Sequence, residues 1–227
     1  MANPIVIPNK SVVADLTPAF EFLEGWLFGT ATEDETQDLR LQTLEGANAL
    51  VSALPGTPFD GQEIYYVATP GVNWHFRYNA GSASAYKWEY LGGPSLFYPG
   101  VMGQETIVSP ATAYSTAATV VGITVPLGGD YEVTNGATMF YSSGGPGAAT
   151  NYCSVKYSAA AAVDADAFYT SCSALNQYPI YGGARTLRVN GVPGGGFQIQ
   201  QQYRTNGVGV NLTVQSRTMS VKPIRVG

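Results

Sequence analysis

Few side chains in this sequence are suited to catalysis. The single histidine, His75, lies in NWHFRY at 73–78. An imidazole is the usual general base at neutral pH, but no nucleophile motif accompanies it. Alternation in the segment instead puts it on a strand between Trp74 and Phe76, held by packing. Asp164 and Asp166 in VDADA are one residue apart, so they share a strand face or a loop. With Asp130 or backbone carbonyls they form a candidate calcium set. The plainer reading is a turn whose carboxylates cap backbone amides. Cys153 and Cys172 lack metal-ligand spacing and read as buried free thiols, with a disulfide as the alternative if their strands pair. GVPGGG at 191–196 is glycine-rich but lacks the Lys-Ser/Thr and the helix of a phosphate cradle, so it reads as a hairpin turn. Trp74, Tyr86, Trp88 and Tyr90 suit either a sugar-stacking platform or packing within and between subunits, and packing is expected. The reading is therefore no enzyme, no cofactor and no metal, with the ligand-facing aromatics unassigned.

The elements that would position these residues change character along the chain. Residues 1–16 read as an extended arm, with Pro4, Pro8 and Asn9 around short apolar pieces. Thr17-Pro18 is a helix start, a capping hydroxyl followed by a proline whose missing N–H costs nothing there. Phe20, Leu23, Trp26 and Leu27 follow, too apolar for a lone solvated helix, and form a candidate anchor onto another protein. A second helix is expected over 34–54, where Leu41, Leu44, Asn48 and Val51 have the 3–4–3 spacing of a short coiled-coil seam and an oligomer interface. An amphipathic helix packed on its own domain has the same pattern. From Pro58 the period becomes two. Strands are expected at 63–68, 73–80 and 84–93 as a meander, then near 119–125, 130–142, 152–158, 167–175, 186–192, 197–205 and 210–226. Many short strands with turn signals between them predict a mainly β fold, an antiparallel, jelly-roll-like sandwich preceded by the meander and N-terminal helices. The expected organisation is 1–56 arm and helices, 57–103 meander and 104–227 sandwich. Residues 142–151, SSGGPGAATN, read as one long exposed loop.

Composition bears on partners. The chain has 227 residues, 45% of them hydrophobic, enough for a sizeable core. Charged residues are only 12%, about half the usual globular share of roughly 25%. Fifteen tyrosines accompany that low charge. Interfaces lose charge and gain aromatics, so much of the surface is expected to lie against copies of the same chain. The net charge of −5 without a basic run removes the electrostatic footprint of nucleic-acid binding and of attraction to anionic membranes. No apolar run is long enough to span a bilayer. The opening MANPIVIPNKSVV lacks the pattern of a secretory signal, so synthesis in a cytoplasm is expected.

One segment has a familiar look. Residues 44–93 resemble a segment of tailed-phage minor tail and virion structural proteins, in which a short helix runs into a P-[FY]-DGQE-I turn and then a W-x-[FL]-R-Y and YKWE-[YF]-x-GG meander. Pro58, Phe59, Asp60, Gly61, Gln62 and Glu63 carry the first motif; Trp74, Arg77, Tyr78, Tyr86, Lys87, Trp88 and Glu89 carry the second. ITVPLGGDYEVTNGATM at 123–139 is similar to a strand pair of tumour-necrosis-factor-like jelly rolls, and LRVNGVPGGGFQIQQQYRT at 187–205 to their late hairpin. RTMSVKPIRVG at 217–227 resembles the ending of the same phage proteins. The resemblance implies a homotrimer assembled in a bacterial cytoplasm and mounted on a virion through other virion proteins, with no catalytic residues. The expected function is a fibre, spike or tail-associated subunit, with host-surface glycan as a candidate partner. A capsid decoration protein or head spike, and a carbohydrate-binding module, are the alternatives.

Overall fold

The computed structural model describes residues 50–107, 113–143, 149–172, 181–207 and 211–227. Among them the fold is mainly β. The strands are β1 (Leu50–Val51), β2 (Glu63–Thr69), β3 (Val72–Tyr78), β4 (Trp88–Gly92), β5 (Leu96–Val101), β6 (Glu105–Ile107) and β7 (Gly122–Val125), then β8 (Gly129–Ser143), β9 (Ala149–Lys156), β10 (Phe168–Cys172), β11 (Tyr181–Val192), β12 (Phe197–Thr205) and β13 (Asn211–Val226). Among the described residues one 3-10 turn, Asp164–Asp166, precedes β10.

The larger sheet runs β1-β2-β3-β4-β13-β8-β11, with β5 and β6 also paired to β13. Strands β4, β5 and β6 follow one another along the edge of β13 opposite β8: Val226 faces Trp88, Val221 faces Leu96 and Leu212 faces Ile107. The second sheet runs β10-β9-β12-β7. All pairings are antiparallel except β1 with β2, where Leu50 lies beside Tyr65 and Val51 beside Tyr66.

Period-two alternation divides each strand between a core face and an outer face. In β2 and β3, Ile64, Tyr66, Trp74 and Phe76 point inward. They share one cluster with Tyr131, Val133, Val189 and Val221 of the larger sheet and with Ile123, Val125, Val155 and Ile199 of the second, so the two sheets are pressed face to face. Trp74 ties the meander into this core. Its ring lies 6.4 Å from Tyr131 on β8, and its indole N–H donates to Pro94 O at 2.9 Å. Segments 57–103 and 104–227 thus contribute to one sheet and one core. Gly129 permits the close approach of β8 to β13: a Cβ there would stand 2.2 Å from Arg225 O.

A polar belt crosses the interior. The inward residues of β8 read Val133, Asn135, Ala137; those of β12 read Ile199, Gln201, Tyr203; and β13 places Arg217 beside Met219. Asn135, Gln201 and Arg217 divide the large cluster from a smaller one of Ala137, Met139, Cys153, Tyr203, Leu212 and Val214. Buried polar atoms need partners. Gln201 Nε2 donates to Gly136 O and Thr218 O, and the Tyr203 hydroxyl donates to Gln201 Oε1 at 2.6 Å. Arg217, fully buried, donates to Thr119 O at 2.8 Å and to Glu105 Oε1 at 2.7 Å. It occupies a bulge of β13, where Ser216 adopts φ 49° and the register with β8 shifts.

One expectation changes, and one alternative does not fit. Of the segment 34–54 expected as helix, the described residues are not helical: Leu50–Val51 is a strand and bends follow at 52 and 53. Val51 therefore packs on the main core from β1 rather than lining a helical seam. Its β-branched side chain suits the sheet, and pairing with β2 outweighs the local 3–4 spacing. The rest of that helix and the helix beginning at Thr17, with Leu41, Leu44, Asn48, Phe20, Leu23, Trp26 and Leu27, lie outside the described residues. A 153–172 disulfide also does not fit this register. Cys153 pairs with Phe168, and Cys172 with Ala149, four residues away. That offset is roughly 13 Å along the strands, beyond the ~7 Å Cα limit of a disulfide.

Candidate functional site

The described side chains with the densest chemistry lie on the outward face of the second sheet. Its register sets Tyr169 of β10 opposite Tyr152 of β9, and Tyr152 opposite Arg204 of β12, making one rung across three strands. The three point outward because their neighbours, Phe168, Cys153 and Tyr203, turn toward the interior. The Tyr152 and Tyr169 rings are 6.1 Å apart. The Arg204 guanidinium lies over the Tyr152 ring at 3.9 Å and over Tyr114 at 5.6 Å, both within cation–π range.

The 3-10 turn brings Asp164 to the end of this row. Asp164 Oδ1 accepts from Arg204 Nε at 2.7 Å and from the Tyr114 hydroxyl at 2.9 Å, while Oδ2 accepts from Arg204 Nη2. This is the two-pronged fit of a planar guanidinium to a carboxylate. The hydrogen bond from Arg204 holds the Asp164 carboxyl below its usual range, and the same pair raises Arg204. Burial, then the neighbouring Asp164 carboxylate, pushes the Tyr114 hydroxyl up, so it remains a neutral donor. A groove of about 480 Å³ opens beside the pair, lined by Tyr114, Ala161, Ala162, Val163, Asp164 and Arg204. Tyr169, at 67% exposed, stands at the free end of the row.

The residues singled out by sequence separate in space. Asp164 joins Arg204, whereas Asp130 receives Arg188 at 3.3 Å and caps the amide of Gly191. The three aspartates do not come together as a calcium set, and no group of metal-ligating side chains occurs among the described residues. His75 lies on the outer face of the meander, stacked on Tyr65 at 4.5 Å, with Nε2 2.9 Å from Glu63 Oε2. Trp74 and Trp88 are core residues rather than a platform. Cys153 is buried and free, its thiol pushed up by burial. Tyr152, Tyr169 and Arg204 carry no motif that marks them in the sequence. Outward phase in strands at 152–158, 167–175 and 197–205 was the available signal, and it does not reveal which strands are neighbours.

A second surface is also unusual. Tyr65, Leu91 and Phe97 point away from the core on the outer face of the larger sheet, at 36%, 43% and 63% exposed.

No protein-family model matches the chain, and no curated protein matches it. One similar solved chain comes from the structure of infectious bursal disease virus Gx strain, with 12% identity and a TM-score of 0.24. The alignment covers 77% of this chain and 46% of that one, so this chain spans less than half of its length. At that score the likeness establishes neither fold nor function.

Proposed function

We propose that this chain is a non-enzymatic structural subunit of a tailed-phage virion, a trimeric fibre, spike or tail-associated protein whose C-terminal part is a jelly-roll sandwich. The strand order supports the jelly roll: β6-β13-β8-β11 in one layer and β7-β12-β9-β10 in the other, with the chain crossing between layers from β10 to β11, β11 to β12 and β12 to β13. The observation that carries the assembly reading is the display of large apolar side chains on the outward face of the larger sheet. Its inner face already fills a core, yet Tyr65, Leu91 and Phe97 are displayed on the opposite face. Large apolar side chains set among charged pairs such as His75–Glu63, Arg77–Glu89 and Lys222–Glu132 have the mixed make-up of a protein interface. In a closed symmetric oligomer each copy covers the same patch of its neighbour, which accounts for little charge and much tyrosine together.

Light scattering on the purified full chain tests this. Three copies of a 24.0 kDa chain have a mass of about 72 kDa. Replacing Leu91 and Phe97 together by Asp is expected to lower that mass without unfolding the sheets. A wild-type protein that runs as a 24.0 kDa species at all workable concentrations would remove the assembly reading. A labelled copy located in purified particles distinguishes a tail position from the alternative of a capsid-mounted decoration protein or head spike.

A further inference from the structure

We propose that the outward face of the second sheet binds a neutral glycan at least two pyranose rings long, one ring on Tyr169 and the next in the groove beside Arg204 and Asp164. The inference goes beyond the assembly reading and does not rest on it, since the face belongs to one chain and lies on the sheet that does not carry Leu91 and Phe97.

Four observations converge. Tyr169 presents an exposed ring at the end of an ordered row, where the C–H face of a sugar can stack. From Tyr169 on β10 to Arg204 on β12 is two strand spacings, roughly 10 Å, the reach of two linked sugar rings. The groove, about 480 Å³, has the size of a small-ligand site and combines small apolar walls at Ala161 and Ala162 with a few fixed polar groups. Those polar groups are already oriented. Arg204, its side chain only 14% exposed, commits Nε and Nη2 to Asp164, while half-exposed Asp164 keeps acceptor capacity for a ligand hydroxyl.

Charge decides the class of sugar. Arg204 is the cation of the row and Asp164 neutralises it at contact distance, so an acidic sugar would meet a compensated guanidinium and a nearby carboxylate. The neighbouring rung continues in hydroxyls: Thr150 Oγ1 and Ser171 Oγ lie 3.2 Å apart beside Tyr152 and Tyr169. Tyrosine and arginine also anchor protein interfaces, so a protein is the competing occupant of this face. Short hydroxyl side chains around stacked tyrosines suit a polyhydroxylated ligand better.

Saturation-transfer NMR on the full chain supplies the test, with lactose, maltotriose, cellotriose and chitotriose as neutral probes and 3′-sialyllactose as the acidic counterpart. Transfer to ring protons of at least one neutral probe is expected. Tyr169→Ala should weaken that probe about tenfold, the loss of one aromatic stack, and Tyr169→Phe should retain binding because the ring remains. Thermal midpoint and oligomer mass serve as controls, and both should match wild type, since Tyr169 is exposed. Absence of transfer from every neutral probe overturns the proposal. So does sialyllactose binding more tightly than lactose, a Tyr169→Ala variant that binds like wild type, or a displayed peptide that selects this face while no sugar does. Oligomer mass is read in the same samples, so a failed sugar site and a failed assembly reading remain distinct results.

Discussion

The buried Arg217–Glu105 pair tests the interior most directly, through Glu105→Gln. Arg217 has no exposed surface, and its charge is balanced at 2.7 Å by a carboxylate whose side chain is 18% exposed. The other Glu105 oxygen accepts the Thr119 amide at 2.8 Å. Glutamine keeps the shape but removes the charge, and it has one acceptor oxygen for two donors. Two charge-assisted hydrogen bonds, each worth roughly 1.5–3 kcal/mol, are weakened or lost, and a guanidinium is left unpaired in the interior. Breaking one partner of a buried pair costs about 3–5 kcal/mol, which agrees with that sum. For a chain of this length the midpoint should fall by roughly 6–20 °C. Arg217→Met should cost less, because the remaining carboxylate reaches solvent. The double variant should be more stable than Glu105→Gln alone, because neither member is left charged and alone. Urea unfolding followed by tryptophan fluorescence, at one fixed protein concentration, measures all four proteins. A Glu105→Gln loss below about 1 kcal/mol, or strictly additive losses in the double variant, would refute the assignment of a buried charge pair.

Acid should act on the same pair. Burial by itself would raise Glu105, but hydrogen bonds from Thr119 and Arg217 and the Arg217 charge leave it net below its ordinary 4.5. Its stabilisation is therefore complete above 4.5 and is lost as pH falls through the lower folded value; a stability-versus-pH series should show a drop there that Glu105→Gln lacks. In a Cys172→Ser background, Cys153 should resist a maleimide until the protein unfolds, since its thiol is buried and its pKa raised; rapid labelling of the native protein would contradict this. Adding reductant to wild type should leave its thermal midpoint unchanged, because the β9–β10 register keeps the two cysteines apart. Gly129→Ala should cost about 2–4 kcal/mol or prevent folding, since its methyl group would meet Arg225 O; a wild-type midpoint would show that β8 and β13 separate easily.

Alternation of apolar and polar residues located most strands, because the side-chain period of a strand is a local property. Trp74-His75-Phe76-Arg77 in β3 and Trp88-Glu89-Tyr90 in β4 have their two faces written in order. β5 and β6 escaped notice because Pro99 and Gly100 interrupt the first and the second is three residues long; both exist as partners of β13. The same limit explains Leu50–Val51, where spacing suggested a helix and pairing with β2 produced a strand.

The amino-acid order by itself determined the mainly β class, the low charge and the phase of the regularly alternating strands. Only the tertiary structure decided which strands are neighbours. Tyr152, Tyr169 and Arg204 are up to 52 positions apart and meet through the register of β10, β9 and β12. Asn135, Gln201 and Arg217 form a belt only because three strands bring polar residues of inward phase to the same level. Phase is fixed by backbone geometry within a few residues, whereas register is chosen by the free energy of the whole packed interior.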